Sequence, residues 1–385
     1  MAKITKENIR YCKKRSYKDF KEEEFLKEVE KIRWWDVYSS HDVDTAVDIF
    51  TSKLTVILDR MAPVKKFQTR TKYAAWVGES TKEKIKIRDR AHQAAIHSKS
   101  VEDWARYKKL RNDLTKILHK EKESWQQGKL KACEASTDTG KLWKNVLGWL
   151  NWSSASSPTR LLHEGNMVTS PQKMADLQNE YYVRKVRDIR RNMPRQKNDP
   201  LSTLKRVMAG RNFHFSTTAV SPGEVDKIIR NLKNSKSSGV DNLDTYIIKL
   251  IRPYIIPAVC HIINLSIQSK KFPTKWKIAR VIPLYKGNGS KFDPKNFRPV
   301  AILPVMSKVL ERAMYNQVTT YMDRNKLFNP SHHAYRSFHS TTTALIQMQD
   351  TWLDAVDKGD LAGVCMVDMS AAFDVVDIER LLEKM

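Results

Sequence analysis

The sequence predicts an α+β chain in which helix predominates. Three observations carry this. Long stretches have apolar residues recurring every three and four positions. Several of them open on a Ser followed three residues later by an acid, the mark of a helix N-terminus. Only three short runs, at 279–286, 296–303 and 364–368, are rich in residues that favour strands. At 385 residues there is room for two or three domains and a sizeable core.

Phe25, Val29 and Ile32 fall at helical spacing, and Val43, Val47, Phe50, Leu54, Ile57 and Leu58 define a second helix that Pro63 ends. A basic connector is expected around Lys65 to Lys72. Ser80 with Glu83 has the form of a capping box, so a helix should run through Ile85 with Lys82, Lys86 and Arg90 on a basic face. Ser100 with Asp103 repeats the signal. Beyond it Trp104, Tyr107, Leu110, Leu114, Ile117, Leu118 and Trp125 make one apolar stripe on a long helix. Its other faces carry Arg106, Lys108, Lys109, Arg111, Lys116 and Lys120, which suit either the solvated side of a helical hairpin or a track for a phosphate backbone.

Trp143, Trp149 and Trp152 lead into a Ser-rich stretch, Asn151 to Pro158, where a domain boundary is expected. The tryptophans suit a small helical core, or stacking on bases. Ser170-Pro171 opens a helix through Met174, Leu177 and Tyr181, and the basic run Arg184 to Arg195 reads as an exposed loop. Ser221-Pro222-Gly223-Glu224 combines a cap, a first-turn proline and a capping-box Glu ahead of Val225, Ile228, Ile229 and Leu232. A tight loop, Ser237 to Asp241, follows. Helices are expected through Tyr246 to Ile251 and Pro257 to Ser269. Strands 279–286 and 296–303, joined across Gly287-Asn288-Gly289, should form a mobile flap, with the proline inside the first marking an edge or a bulge. Val305, Val309, Leu310, Met314, Val318 and Tyr321 define another helix. The loop Asn329 to Ser340 holds His332, His333 and His339 without the Cys or carboxylate that would complete a metal set. A last long helix, Thr341 to Val356, precedes the third strand.

The formal charge of +26 and pI near 9.8 point to a polyanionic partner, nucleic acid before a membrane surface, because each Lys or Arg that neutralises a phosphate releases counterions. The charge is uneven. Basic residues outnumber acidic ones more than two to one between Lys65 and Lys131, and the balance reverses after Ser340. Four scattered cysteines suit a reduced, intracellular setting, cytoplasmic or nuclear; no secretory signal opens the chain, and no apolar stretch makes a good membrane span.

The third strand ends in Asp368, a carboxylate that a buried apolar setting tolerates only beside a cation. Asp and Ser are also ordinary turn formers, so Asp368-Met369-Ser370 could simply close the strand.

Six motifs in order resolve the choice. They are Lys236-Ser237-Ser238-Gly239-Val240-Asp241, Ala279 to Lys286, Asn296-Phe297-Arg298-Pro299-Val300, Ser307 to Arg312, His333-Ala334-Tyr335-Arg336 with Ser340-Thr341-Thr342, and Val367-Asp368-Met369-Ser370-Ala371-Ala372-Phe373-Asp374. From Ser221 onward the chain resembles the reverse transcriptase of non-LTR (LINE-type) retrotransposons, and Asp42 to Trp125 resembles the helical connector that follows an endonuclease domain in these elements. No endonuclease is expected within the sequence ahead of it.

The resemblance implies a helical connector followed by the fingers and first palm strand of a right-hand polymerase. The implied division is 1–150 for the connector, 151–220 for a linker and basic helical segment, 221–360 for the fingers, and 361–385 for the first palm strand and the start of the next helix. It also implies RNA-directed DNA synthesis, with an RNA template, a DNA primer or target, dNTPs, and Mg²⁺ as cofactor. Asp368 would be the first catalytic aspartate and a metal ligand, with the backbone carbonyl of Met369 as a further ligand. Phe373 would pack under the deoxyribose and reject a 2′-hydroxyl by shape. Arg298 and Lys286 would hold the triphosphate, and Arg336 would contact template or primer. The family's second catalytic element, an aromatic-x-Asp-Asp hairpin, has no counterpart in the sequence, which contains no Asp-Asp pair. The polypeptide is therefore expected to be inactive alone. A non-catalytic basic RNA- or DNA-binding protein, or a decayed element product, is the alternative.

Overall fold

The computed structural model describes residues 10–69, 76–134, 158–193, 199, 201–210, 213–235, 237–369 and 371–384. The three tryptophans at 143, 149 and 152 and nearly all of the expected linker lie outside them. In chain order the elements are β1 (Arg10–Arg15), α1 (Glu22–Glu30), α2 (Trp35–Tyr38), α3 (Val43–Met61), β2 (Val64–Thr69), α4 (Glu79–Ser98) and α5 (Val101–Glu134). Then come β3 (Leu161–His163), β4 (Asn166–Val168), α6 (Pro171–Asn192), α7 (Ser202–Met208), α8 (Pro222–Asn231), α9 (Thr245–Leu250) and α10 (Arg252–Ser269). The last are β5 (Arg280–Tyr285), β6 (Phe297–Ile302), α11 (Val305–Arg324), α12 (Thr341–Asp357), α13 (Ala372–Val375) and α14 (Ile378–Lys384). Helix predominates, and among the described residues every sheet is a two-stranded antiparallel pair: β1 with β2, β3 with β4, β5 with β6. No described helix is long and apolar enough to cross a membrane.

Two compact units emerge, and neither is continuous in sequence: residues 1–17 with 63–156, and 18–62 with 157–385. Helices α1 to α3 bury their apolar faces in the second unit's core.

In the first unit, residues 65–69 of the stretch expected as a basic connector belong to β2, paired with β1 from Arg10 opposite Thr69 to Arg15 opposite Val64, and the rest of that stretch lies outside the described residues. Helix α4 begins two residues earlier than the Ser80 cap implied. Gly78 takes the N-cap position and its N–H is satisfied by Glu121 of α5 at 3.3 Å, while the same carboxylate accepts the Thr81 hydroxyl at 2.7 Å. A carboxylate at a helix N-terminus answers the orphan N–H groups there, so a residue from the partner helix does the work expected of Ser80. The two helices meet along a seam that includes Thr81, Ala95 and Leu114, all buried, and the rings of His92, Trp104 and Tyr107.

The second unit is built on one core. Phe25, Val29, Trp34, Val37, Val47, Phe50, Leu54 and Leu58 from α1 to α3 and the turn before α2 pack with Val225 and Ile229 of α8, Ile247 and Ile248 of α9, Ile255, Val259, Ile262 and Ile263 of α10, and Val305, Val309 and Leu310 of α11. Polar contacts fix the register. The Trp34 indole N–H donates to the Tyr254 carbonyl at 3.0 Å, and Lys271 bridges Asp42 and Asp44 at 2.8 and 2.9 Å. Asp42 also caps α3, and its carboxyl is lowered to about 2, first by Lys271 and then by the Thr45 N–H and hydroxyl. Two side-chain amides pin the chain ahead of α8. Asn264 accepts from Val220 N–H and donates to its carbonyl, and Gln317 does the same for Thr218.

The capping box at Ser221 and Glu224 forms as its sequence implies, and Ser340 and Thr343 make a second at the start of α12. Of the loop expected over Arg184 to Arg195, residues 184–192 are instead the second half of α6, which runs to Asn192, and residues 194 and 195 lie outside the described residues. Gln178 in its middle donates to the Pro294 carbonyl at 3.1 Å, and Arg190 near its end donates to the Val376 carbonyl at 2.9 Å.

The expected buried strand 364–368 is a correction: residues 361–369 form no strand or helix, pair with no described segment, and are exposed. A strand needs a neighbour to take its N–H and C=O groups, and no described segment lies alongside. Helix α12 likewise buries no side chain, leaving Leu345, Ile346, Leu353 and Val356 open.

Candidate nucleotide site

The β5–β6 hairpin sets the geometry. Leu284 lies opposite Arg298 and Tyr285 opposite Phe297, and beyond the strand end the Lys286 N–H donates to the Asn296 carbonyl at 2.8 Å. Opposed residues of an antiparallel pair share a face and successive residues alternate, so Lys286, Leu284 and Arg298 fall on one face and Tyr285 with Phe297 on the other. The ring contact between Tyr285 and Phe297, centroids 5.6 Å apart, and the burial of Phe297 agree with that assignment. The prolines are accommodated by the same alternation. With Lys286 and Asn296 a hydrogen-bonded pair, Pro283 and Pro299, which face each other, sit at a non-hydrogen-bonded position where a missing N–H removes nothing from the ladder.

The Lys286 ammonium donates to the Lys295 carbonyl at 2.5 Å. Its pKa is lowered, first by desolvation, then by Lys185 of α6 and by Arg298, with Asp293 opposing. Three cations thus converge at one end of the hairpin and raise one another's free energy, the condition an anion relieves. Sequence reasoning missed Lys185. Its position in α6 was legible from Met174, Gln178, Tyr182, Lys185 and Ile189, a spacing of four, four, three and four, but the density of charge in that stretch disguised the helix.

Loop 237–243 anchors the hairpin's other end. Arg280, the first residue of β5, donates to the Gly239 carbonyl at 3.0 Å and to the Asn242 side chain at 3.1 Å. Gly239 is buried against the backbone of Leu303 and Pro304, where β6 turns into α11. Beside it, burial pushes the Asp241 carboxyl up to about 6 from 3.8, against the Leu243 N–H and Arg280, which favour the charged form. A folded-state pKa raised in this way contributes stability that is complete below about pH 4 and lost as pH rises through about 6. Asp241→Asn keeps an oxygen for Leu243 and removes the titration. Thermal melts are expected to show the variant more stable than the parent above pH 7, by on the order of 2 kcal/mol, with the difference vanishing at pH 4.

The remaining sequence candidates lie elsewhere. The Arg336 guanidinium closes its own loop: it donates to the carbonyls of Asn329 and His332, each at 3.3 Å, and stacks 4.8 Å from the Phe328 ring centroid. His333 is held between Thr343 and Gln347 of α12. Phe373 is exposed and stands edge-on to Tyr335, centroids 6.2 Å apart, which brings the aromatic candidate beside the neighbour of Arg336. Asp368 and Met369 are exposed in the 361–369 segment.

Among the described residues no group of three or more His, Cys, Asp or Glu gathers to hold a metal ion. Mg²⁺ asks for an octahedral oxygen shell, and a pair of ions asks for several carboxylates. Asp368 with the Met369 carbonyl offers part of one shell. The described residues therefore do not fit the metal pair as they stand.

No family model matches the chain. Curated proteins do. A probable RNA-directed DNA polymerase from transposon BS of Drosophila melanogaster is 22% identical over 348 residues, 90% of this chain and 38% of the relative. The RNA-directed DNA polymerase from mobile element jockey of Drosophila funebris is 22% identical over 349 residues, again 90% of this chain and 38% of the relative. The chain is homologous to the reverse transcriptases of non-LTR retrotransposons. A shorter match, 35% identical over 96 residues, is to a putative 115 kDa protein in the type-1 retrotransposable element R1DM of Drosophila melanogaster, covering 25% of this chain and 9% of that protein. The chain spans about 38% of the length of the two polymerases it matches over most of its own length.

Proposed function

We propose that this chain supplies the fingers of an RNA-directed DNA polymerase and that Arg298 and Lys286 hold the triphosphate of the incoming dNTP. The observation that carries the reading is the shared face of the β5–β6 hairpin, where Arg298 and Lys286 stand near Lys185 with no carboxylate ion-paired to any of the three among the described residues. Arg298 presents a planar fork suited to phosphate oxygens, and Lys286 and Lys185 add point charge.

In this reading residues 221–360 are the fingers and 361–384 open the palm of a right-hand polymerase. Phe373 meets the sugar of the nucleotide, Arg336 and its loop face template or primer, and Asp368 with the Met369 carbonyl is the metal-binding surface this chain contributes. The partners are an RNA template and a DNA primer. The high basic charge and the homology to RNA-directed DNA polymerases support the reading.

Titration with dATP and with dAMP, followed by calorimetry, tests the central step. The chain is expected to bind dATP more tightly than dAMP, and Arg298→Ala is expected to weaken dATP by about tenfold or more, the worth of one or two charge-assisted hydrogen bonds, with dAMP unchanged. Equal affinity for the two nucleotides, or an unchanged dATP affinity in Arg298→Ala, would overturn it.

A further inference from the structure

The flanks of α5 differ in a way its composition hides. Its apolar seam faces α4, and the two sides left to solvent both carry cations. On one side Arg106, Lys109, Lys116 and Lys120 are interleaved with Glu102, Asp113 and Glu123 at helical spacings of three and four, which offset their charge locally. On the other side Lys108, Thr115, Lys122 and Lys129 recur at intervals of seven, with Arg111 between the first two. Seven residues are close to two helical turns, so these positions form one line, and no Asp or Glu falls on it. Lys108, Arg111, Lys122 and Lys129 are all exposed, and none forms an ion pair among the described residues. The other acids of the helix interior are used elsewhere: Asp103 accepts from Ser98, and Glu121 caps α4.

From this geometry we infer that the Lys108–Arg111–Lys122–Lys129 line is a binding track for the phosphodiester backbone of a nucleic acid. Helix α5 has 34 residues and is about 51 Å long at 1.5 Å per residue, so the four cations of the track, separated by rises of about 4.5, 16.5 and 10.5 Å, span about 31 Å of it. A repeating polyanion matches a repeating line of cations over its whole length; a compact anion would use one or two of them. Thr115 and Gln126 lie along the same line where a membrane-seeking helix would carry large apolar side chains, which disfavours a lipid surface. Lys129 also sits 5.7 Å from the Trp125 ring centroid, so an aromatic face borders the track. The track lies in the unit formed by 1–17 and 63–156, and it is independent of the nucleotide site on β5–β6.

Two variants of equal charge change separate this track from diffuse attraction by a basic protein. One replaces Lys108, Arg111, Lys122 and Lys129 with Gln; the other replaces Arg106, Lys109, Lys116 and Lys120 with Gln. Binding of the full chain to a labelled 30-nucleotide single-stranded RNA and to a duplex DNA of the same sequence is followed by anisotropy across a salt series, with circular dichroism confirming helix content. The first variant is expected to lose at least tenfold in affinity, and its log–log salt slope should flatten by about 3 to 4 on duplex DNA or about 3 on single-stranded RNA, as four phosphate contacts dictate. The second should lose less than threefold. The arm showing the larger loss identifies which nucleic acid the track prefers. Equal losses in the two variants, or no flattening in the first, would overturn the inference. Should the fourfold variant lose helix content, the singles Lys108→Gln and Lys122→Gln serve instead; each should flatten the slope by about 0.7 to 0.9, and no change in either overturns it. Arg298→Ala leaves this slope intact, so failure of the nucleotide reading and failure of the track are read separately.

Discussion

Phe50→Ala is expected to lower the stability of the second unit by about 3–5 kcal/mol, the range for removing a fully buried aromatic ring. Phe50 is 1% exposed and stacks on Trp34 with ring centroids 5.2 Å apart, and Trp34 in turn donates to the Tyr254 carbonyl of α10. Truncation therefore opens a cavity where α2 and α3 meet α10. Urea unfolding of the full chain should show the fluorescence transition moving to lower denaturant. Val56→Ala serves as control on the same helix, since Val56 is 67% exposed, and should shift it by less than about 0.5 kcal/mol. The instructive failure would be a Phe50 variant that releases residues 18–62 while α8 to α11 unfold as before. That outcome would deny the shared core.

Gly239→Ala is expected to have the second large effect, about 3 kcal/mol, through overpacking rather than through backbone freedom. A Cβ built there would lie 2.6 Å from the Pro304 nitrogen, 2.8 Å from its Cα and 2.9 Å from the Leu303 carbonyl carbon, all backbone atoms that no rotamer change can move. Either loop 237–243 or the junction of β6 with α11 must shift, and Arg280, which donates to the Gly239 carbonyl, shifts with it. Thermal unfolding and dATP affinity should fall together. Gly223→Ala in the first turn of α8 has nothing within 4 Å of its Cβ and should leave both unchanged. If the Gly239 variant melted like the Gly223 one, the close approach would not be a constraint.

What the sequence made legible was whatever depends on neighbours a few residues away. The Ser221 capping box, the helix of Val305 to Tyr321 and the pairing of 279–286 with 296–303 rest on local hydrogen bonds and periodic burial, and each formed near its expected place. The exceptions share a cause. Gly78 is capped by Glu121, 43 residues away, so no local pattern could show it. Lys286 and Arg298 were readable as candidates through motif order, whereas Lys185 joins them only because α6 passes beside the hairpin, through Gln178 and Pro294. The run 364–368 has strand composition, but composition cannot provide the neighbouring strand that would make it one. The pairing of β1 with β2 joins residues 49 to 59 positions apart, beyond the reach of a local pattern.

The split of the second unit carries a consequence for how the chain is made. Its core unites α3, finished at Met61, with α10, finished at Ser269. At about 5–20 residues per second, synthesis of the intervening chain takes on the order of 10–40 s. During that interval the apolar face of α3 has been translated but its partner has not. The segment that carries α1 to α3 begins and ends side by side, since β1 and β2 pair and the Ser16 N–H donates to the Pro63 carbonyl at 3.0 Å. Closing that loop restricts the conformational freedom of α1 to α3 before α8 to α11 are made, so the half of the core that α1 to α3 carry is kept together while the other half is still being translated.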